Sequence, residues 1–206
     1  MALSSRNIDM EFVFATKNSH KLEEIREIIK GSGIEIISLA ELDIDINVEE
    51  DGATFEENAL KKAREAALAS GRPALADDSG LEIDFLDKAP GVYSARFMGE
   101  NTPYDVKNAR LLEMLGGVPY EKRTARFVCA AAAAIPTPGG LETFCERGVI
   151  EGHIHDRPEG ENGFGYDPIF FADEFGMTTA RMPAELKNRV SHRGKALARL
   201  CRAIKN

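Results

Sequence analysis

Residues 11–39 set the strongest constraint on the fold. An apolar run, "EFVFA", is followed by a polar turn, "TKNSHK", a helical stretch, "LEEIREIIKGSG", and a second apolar run, "IEIISL". Leu22, Ile25, Ile28 and Ile29 recur at helical spacing, and Gly31 and Gly33 mark the stop. A strand–turn–helix–strand opening favours an α/β protein, because the helix must cover the sheet built by the two strands.

The rest of the chain extends this pattern. Thr54 and Glu57 have capping-box spacing ahead of a helix over "FEENALKKAREAALAS", which stops near Gly71. "PALADDSGLEID", residues 73–84, reads as strand, turn and strand, since Asp-Asp-Ser-Gly is good turn chemistry. Thr102 is expected to cap, and Pro103 to start, a helix to about Leu115. "TARFVCAAAAAI" and "LETFCERGVIEGHI" predict an antiparallel hairpin. "PIFF" reads as a short buried strand and "PAELKNR" as a brief helix with Pro183 first. Ser191 is expected to cap a last helix whose core face is Leu197, Leu200 and Ile204. Residues 1–10 read as a leader or disordered N-terminus, and residues 11–206 as a single domain.

A formal net charge of −8 argues against a nucleic-acid backbone or a membrane surface as partner. An anionic substrate would need local cations or a metal. No apolar stretch approaches a membrane span. Cys129, Cys145 and Cys201 form no CxxC pair, which predicts reduced thiols and a cytoplasmic setting.

Four segments can carry chemistry. In "TKNSHK", residues 16–21, a turn before a helix leaves amides unpaired at the positive end of the helix dipole. Thr16, Asn18 and Ser19 can donate hydrogen bonds there, with Lys17 or Lys21 adding charge, which suits a phosphate. The same pattern fits an ordinary capped helix, and fits it better when taken alone. Glu49, Glu50 and Asp51, with Asp77 and Asp78, could hold Mg²⁺, a hard ion that takes oxygen ligands. Alone, they equally fit a solvated loop and a turn. In "GENGFGYD", Phe164 or Tyr166 could stack on a planar base or fall back into the core. In "SHRGK", Arg193 and Lys195 lie at a helix start, with Lys187 one short helix earlier. They suit an anion or a solvated face. His153 and His155 read as a surface pair, and the alanines at 130–134 as close packing.

Taken in order, "FATKNSHKLEEI", "DGATFEENALKKA", "ALADDSGLEID", "APGVYSARF", "GFGYDPIF" and "SHRGKAL" resemble the inosine triphosphate pyrophosphatase family. The resemblance spans roughly residues 11 to 204. It implies a long mixed sheet with flanking helices and two lobes around a central cleft, and a homodimer. It also implies hydrolysis of ITP, dITP and XTP to the monophosphate and pyrophosphate, with Mg²⁺. Thr16, Asn18 and Lys21 match the family's phosphate-binding turn, and Lys17, Ser19 and His20 lie within it. Lys17 stands where the family often has a small residue. Glu50, Asp77 and Asp78 match metal carboxylates, with Asp78 at the position of the proposed general base. Ser79 matches a substrate contact. Phe164, Gly165, Tyr166 and Asp167 match the base-pocket segment, and Lys187, His192 and Arg193 the late substrate contacts.

Three rivals stand beside this assignment. A haloacid-dehalogenase-type phosphatase needs D-x-D after the first strand, where this chain has "TKN". A non-catalytic nucleotide sensor would use the same pocket without turnover. A pyrophosphohydrolase of modified pyrimidine triphosphates would share the reaction but not the base.

Overall fold

A computed structural model describes residues 10–16 and 18–205. Strand β1 (Met10–Phe14) leads into helix α1 (Ser19–Ile29) and strand β2 (Ile34–Ser38). Helix α2 (Phe55–Ser70) precedes the long strand β3 (Ala74–Ile83), and α3 (Tyr104–Met114) precedes the hairpin of β4 (Thr124–Thr137) and β5 (Gly140–Ile154). Two short strands, β6 (Phe170–Ala172) and β7 (Met177–Thr178), lead to helices α4 (Ala184–Val190) and α5 (His192–Lys205).

The strands form one seven-stranded sheet in the order β2-β1-β3-β4-β5-β6-β7. The β1–β2 and β1–β3 pairs are parallel, and all other pairs are antiparallel. This is the expected mixed α/β sheet. Strand β3 pairs with β1 only at Ala74 and Leu75, but with β4 along its whole length. Beyond Leu75 its β1-side edge therefore borders the space where β1 ends and α1 begins. Open α/β sheets place their clefts at such a reversal of strand order.

The two faces of β3 bury different cores. Ala74 and Ala76 pack with Ala59, Ala63, Ala66 and Ala67 of α2. Leu75 packs with Ile25 of α1 and Leu197 and Leu200 of α5. Further along that second face, Leu81 and Ile83 join a separate core with Leu111, Phe127 and Tyr166. Ser79 lies between the two cores, and the central cleft opens there.

Most sequence expectations map onto these elements. The Thr54–Glu57 capping box forms, Gly71 ends α2 with φ 65°, and Ser191 Oγ accepts from Gly194 N at 3.1 Å. Other expectations need correction. "DDSG" is no turn but the middle of a ten-residue strand, because ladder pairing with Ala131, Ala130, Cys129 and Val128 outweighs its turn propensity. Thr102 does not cap α3. Its hydroxyl donates back to Met98 O at 2.7 Å, and Pro103 occupies the cap position. Pro183 likewise sits one place ahead of α4. Met10, expected in the leader, begins β1 opposite Ile34. The rest of that leader, residues 1–9, and Lys17 lie outside the described residues.

Candidate active site

The cleft has two compartments. One is lined by Thr16, Asn18, Lys21, Glu50, Lys62 and Asp77. The other is lined by aromatic and polar groups, including Ser79, Phe164, Tyr166, Lys187, His192 and Arg193. Asn18, Lys21 and Ala95 border both.

The turn after β1 supplies the first wall. Asn18 caps α1, its Oδ1 accepting from Lys21 N at 3.1 Å, while Thr16 Oγ1 accepts from Asn18 N at 3.1 Å. These bonds aim the start of α1 at the cleft. Lys21 Nζ reaches across to within 3.1 Å of Asp77 Oδ1. Ser19 is exposed and lines the outer cavity beside Leu22 and Leu39. His20 is exposed and stacks loosely on Phe164, with ring centroids 6.3 Å apart.

Side chains of successive strand residues leave opposite faces, and this separates the two aspartates. Asp77 joins the α1 and α5 face. Its Oδ2 accepts from Arg193 Nε at 3.2 Å, and the Cys129 thiol lies 3.7 Å away. Its Oδ1 is buried without a hydrogen bond of good geometry, Lys21 notwithstanding. Burial alone would raise the Asp77 pKa, but the charges of Lys21, Arg193 and Lys62 outweigh it and hold the carboxyl well below its usual range. Asp78 faces α2. Its Oδ2 accepts from Asn58 Nδ2 at 3.0 Å, and Lys62 Nζ is 3.7 Å from its Oδ1. Here burial wins over the pull of Lys62, and the nearby Glu50 charge adds to it, so the Asp78 pKa is raised.

Lys62 ties Asp78 to Glu50, whose Oε1 accepts from it at 2.8 Å. Arg96 holds the Glu50 carbonyl at 3.0 Å. Gly80 permits the next close approach: a Cβ there would lie 2.4 Å from both Gly91 O and Ser94 Oγ. Ser94 Oγ thereby accepts from Leu81 N at 2.9 Å and brings the 91–96 loop against β3.

The second compartment rests on buried ion pairs. Arg193 donates from all three nitrogens: Nε to Asp77, Nη1 to Glu24 Oε2 at 2.5 Å and Nη2 to Ser79 Oγ at 3.0 Å. Lys187 Nζ donates to Asp167 Oδ2 at 2.8 Å and lies 3.4 Å from Glu24 Oε1. Asp167 also accepts from Phe164 N and Thr179 Oγ1, which fixes the glycine-rich loop. Gly163 is required there, since φ is +74° and a Cβ would meet Asp167 Oδ2 at 2.2 Å. Phe164 carries Lys187 Nζ at 5.3 Å and the Arg193 guanidinium at 5.6 Å from its ring centroid. Gly165 O accepts from Asn108 Nδ2 at 3.1 Å, and Tyr166 OH donates to Ser94 O at 2.8 Å.

His192 stacks on Phe127 at 4.8 Å, and its Nδ1 is buried without a partner. Burial first, then the Arg193 and Lys187 charges, holds its pKa well below the ordinary value, so the ring is neutral. Sequence reasoning missed Glu24, Asn58, Lys62, Ser94, Arg96, Tyr104 and Lys107. Asn58 and Lys62 did leave a trace, because both interrupt the apolar stripe of α2 at the spacing of Phe55, Ala59, Ala63 and Ala66.

Comparison with known proteins identifies the family. A model of the Ham1 family matches residues 12–203. A dITP/XTP pyrophosphatase of Geobacter sulfurreducens is 54% identical over 188 residues, covering 91% of this chain and 93% of its own. One from Desulforamulus reducens is 50% identical over 188 residues, with 91% and 92% coverage. A HAM1 protein from Coxiella burnetii has a similar structure, with a TM-score of 0.84 at 41% identity over 95% of this chain and 98% of that one. The nucleoside-triphosphatase / dITP/XTP pyrophosphatase of Mycobacterium abscessus gives a TM-score of 0.72 at 41% identity over 93% and 98%. With the six ordered segments, these matches establish that the chain belongs to the Ham1 family.

Proposed function

We propose that this protein hydrolyses non-standard purine nucleoside triphosphates (ITP, dITP and XTP) to the nucleoside monophosphate and pyrophosphate. The observation that carries it is the junction of the two compartments at Asn18, Lys21 and Ala95. A planar base beside Phe164 can send its phosphate tail directly to the carboxylates. The names of the Geobacter and Desulforamulus relatives support the substrate class.

The turn of Thr16, Lys17, Asn18, Ser19, His20 and Lys21 holds the tail through helix-start amides and lysine charge. Lys187 and Ser79 contact the nucleotide between tail and base. Phe164, Gly165, Tyr166 and Asp167 form the base pocket. Arg193 braces Asp77, Glu24 and Ser79 with one N–H from each nitrogen, and its second Nη N–H groups remain for the substrate. The neutral, unpartnered His192 is left to meet the base edge. A donor placed for a 6-oxo group opposes the 6-amino group of adenine, and such mismatches cost about 10⁴-fold or more.

The carboxylates suit Mg²⁺ in kind. Glu50, Asp77 and Asp78 offer hard oxygen donors, Asp77 Oδ1 lacks a hydrogen bond, and Glu50 and Asp78 already share one cation in Lys62. Among the described residues there is no group of three His, Cys, Asp or Glu side chains that could hold a metal ion together. Mg²⁺ needs none, since it takes one or two carboxylates and completes its shell with water and phosphate oxygens. One or two of Glu50, Asp77 and Asp78 would hold it, and bound there it would neutralise phosphate charge and ease deprotonation of water. Asp78 takes the proton of the attacking water as a new P–O bond forms. The anhydride bond breaks and pyrophosphate leaves.

Residues 11–206 act in this scheme as one domain, working as a homodimer in the cytoplasm with a small-molecule nucleotide as partner and no nucleic acid. Among the described residues no helix is long and apolar enough to cross a membrane. The test is a panel of ITP, XTP, dITP, ATP, GTP, dTTP and UTP, with and without Mg²⁺, scored for pyrophosphate. The expected result is pyrophosphate from the first three alone. Orthophosphate as first product overturns the reaction, and equal rates on ATP and ITP overturn the specificity.

A further inference from the structure

Helix α3 carries a buried cation that, among the described residues, no carboxylate balances. Lys107 is 1% exposed, and burial alone sets its pKa, which it lowers. Its Nζ donates to Ala95 O at 2.6 Å and lies 4.8 Å from the centroid of the Tyr104 ring. Both partners line the aromatic compartment, as do His192 and Arg193 of α5.

These contacts close a circuit. The carbonyl next to Ala95, that of Ser94, accepts from Tyr166 OH at 2.8 Å. The Tyr166 ring meets Tyr104 edge-on, with centroids 5.1 Å apart and planes at 87°. Tyr104 returns to Lys107 through its face. Two consecutive carbonyls and two aromatic rings are thus fixed by one ammonium and one hydroxyl. A core has no need of the ammonium: burying an unpaired charge is unfavourable, and an apolar side chain of similar volume packs without that cost.

We propose that Lys107 is a positioning residue for the base: through the Ala95 carbonyl and the Tyr104 ring it fixes the wall against which the purine rests. This deepens the proposed function and rests on its assignment of the aromatic compartment to the base. Lys107 itself touches no substrate. A cation–π contact and a charge-assisted bond to a carbonyl are both stronger away from water, so one buried ammonium can hold the wall. Asn108, beside it, holds Gly165 O across the same compartment.

The test compares wild type with Lys107→Met and Lys107→Arg. Steady-state pyrophosphate release from ITP gives kcat and KM, calorimetry gives the Kd of IMP, and inhibition by tripolyphosphate reports the tail site alone. In Lys107→Met, KM for ITP and Kd for IMP are expected to rise together by roughly tenfold, with kcat within about twofold and resistance to urea no lower than wild type. Tripolyphosphate inhibition should be unchanged, and Lys107→Arg should recover most of the lost affinity. Unchanged KM and Kd in Lys107→Met overturn the proposal. So does an equal loss of tripolyphosphate affinity, which marks general loosening. Should the Met variant fail to fold, Lys107→Gln is judged by the same criteria. If wild type releases no pyrophosphate from ITP, the proposed function fails separately, and the IMP measurements still decide the role of Lys107.

Discussion

Asp77 and Asp78 are chain neighbours that face opposite sides of the sheet. Asp77 is held by Arg193 of α5 and approached by Lys21 of α1, while Asp78 is held by Asn58 and approached by Lys62 of α2. The two carboxylates should therefore fail differently. Asp77→Asn removes one of the two carboxylates on buried Arg193, leaving Glu24, and takes the ion-pair partner from Lys21, so it should cost about 1.5–3 kcal/mol of stability. Asp78→Asn leaves Lys62 paired with Glu50 and should cost about 1 kcal/mol, yet lower kcat by roughly 10²–10⁴ with nucleotide binding retained. Urea titrations beside pyrophosphate assays decide this. Full turnover in Asp78→Asn would remove it from the chemistry.

Lys62 pairs with Glu50 and approaches Asp78, two of the carboxylates proposed to hold Mg²⁺. In Lys62→Met those carboxylates lose their shared cation, so the metal-free protein should melt earlier. Added Mg²⁺ should then raise its Tm by more than it raises that of wild type, since a ligand stabilises the state it binds. Equal shifts in the two proteins would show that Lys62 and the ion do not share a site. Glu50→Gln should raise the Mg²⁺ concentration needed for half-maximal rate, and a chelator should abolish turnover in every variant.

His192 makes stability sensitive to mild acid. Its folded pKa lies well below the ordinary 6.5. As pH falls through that value the unfolded chain takes up a proton that the folded protein does not bind, so stability declines. The sign is that of a depressed pKa: the contribution is complete above the unfolded value and is lost below it. Urea denaturation of wild type and His192→Gln between about pH 7 and 5 should show a steeper decline for wild type. Parallel curves would mean that His192 takes up its proton equally in the folded and unfolded states.

Gly163 shapes the loop proposed to form the base pocket. In Gly163→Ala the new methyl needs the space of Asp167 Oδ2, at a φ that alanine rarely adopts. The Asp167–Lys187 contact must shift. We expect a loss of about 1–3 kcal/mol and a KM for ITP raised by a larger factor than the inhibition constant of tripolyphosphate. Equal kinetics would show that the loop moves freely around the added methyl.

The sequence made the skeleton legible because its signals are local. The capping box at Thr54, the stop at Gly71 and the β4–β5 hairpin each depend on residues close together. The six ordered segments pointed to the family and its mixed sheet for the same reason. "DDSG" misled because its turn chemistry is local while its pairing with β4 is not. Glu24, Lys62 and Lys107 look like ordinary charged residues of surface helices. Their roles depend on partners supplied by distant segments: Arg193, Glu50 and the Ala95 carbonyl. Only their place on otherwise apolar stripes, as with Lys107 ahead of Leu111, hints at burial.

Strand β3 belongs to both halves of the sheet, and this has a consequence for how the chain acquires activity. Its antiparallel partner β4 already sits in a tight hairpin with β5, where Thr137 pairs with Gly140. Its parallel partner β1 must return from the far end of the chain, past α1, β2 and α2, to meet only Ala74 and Leu75. Closing such a long loop is slow compared with zipping a hairpin. During refolding the hairpin signal should therefore recover first, and hydrolysis last, when β1 docks and delivers Lys21 to Asp77.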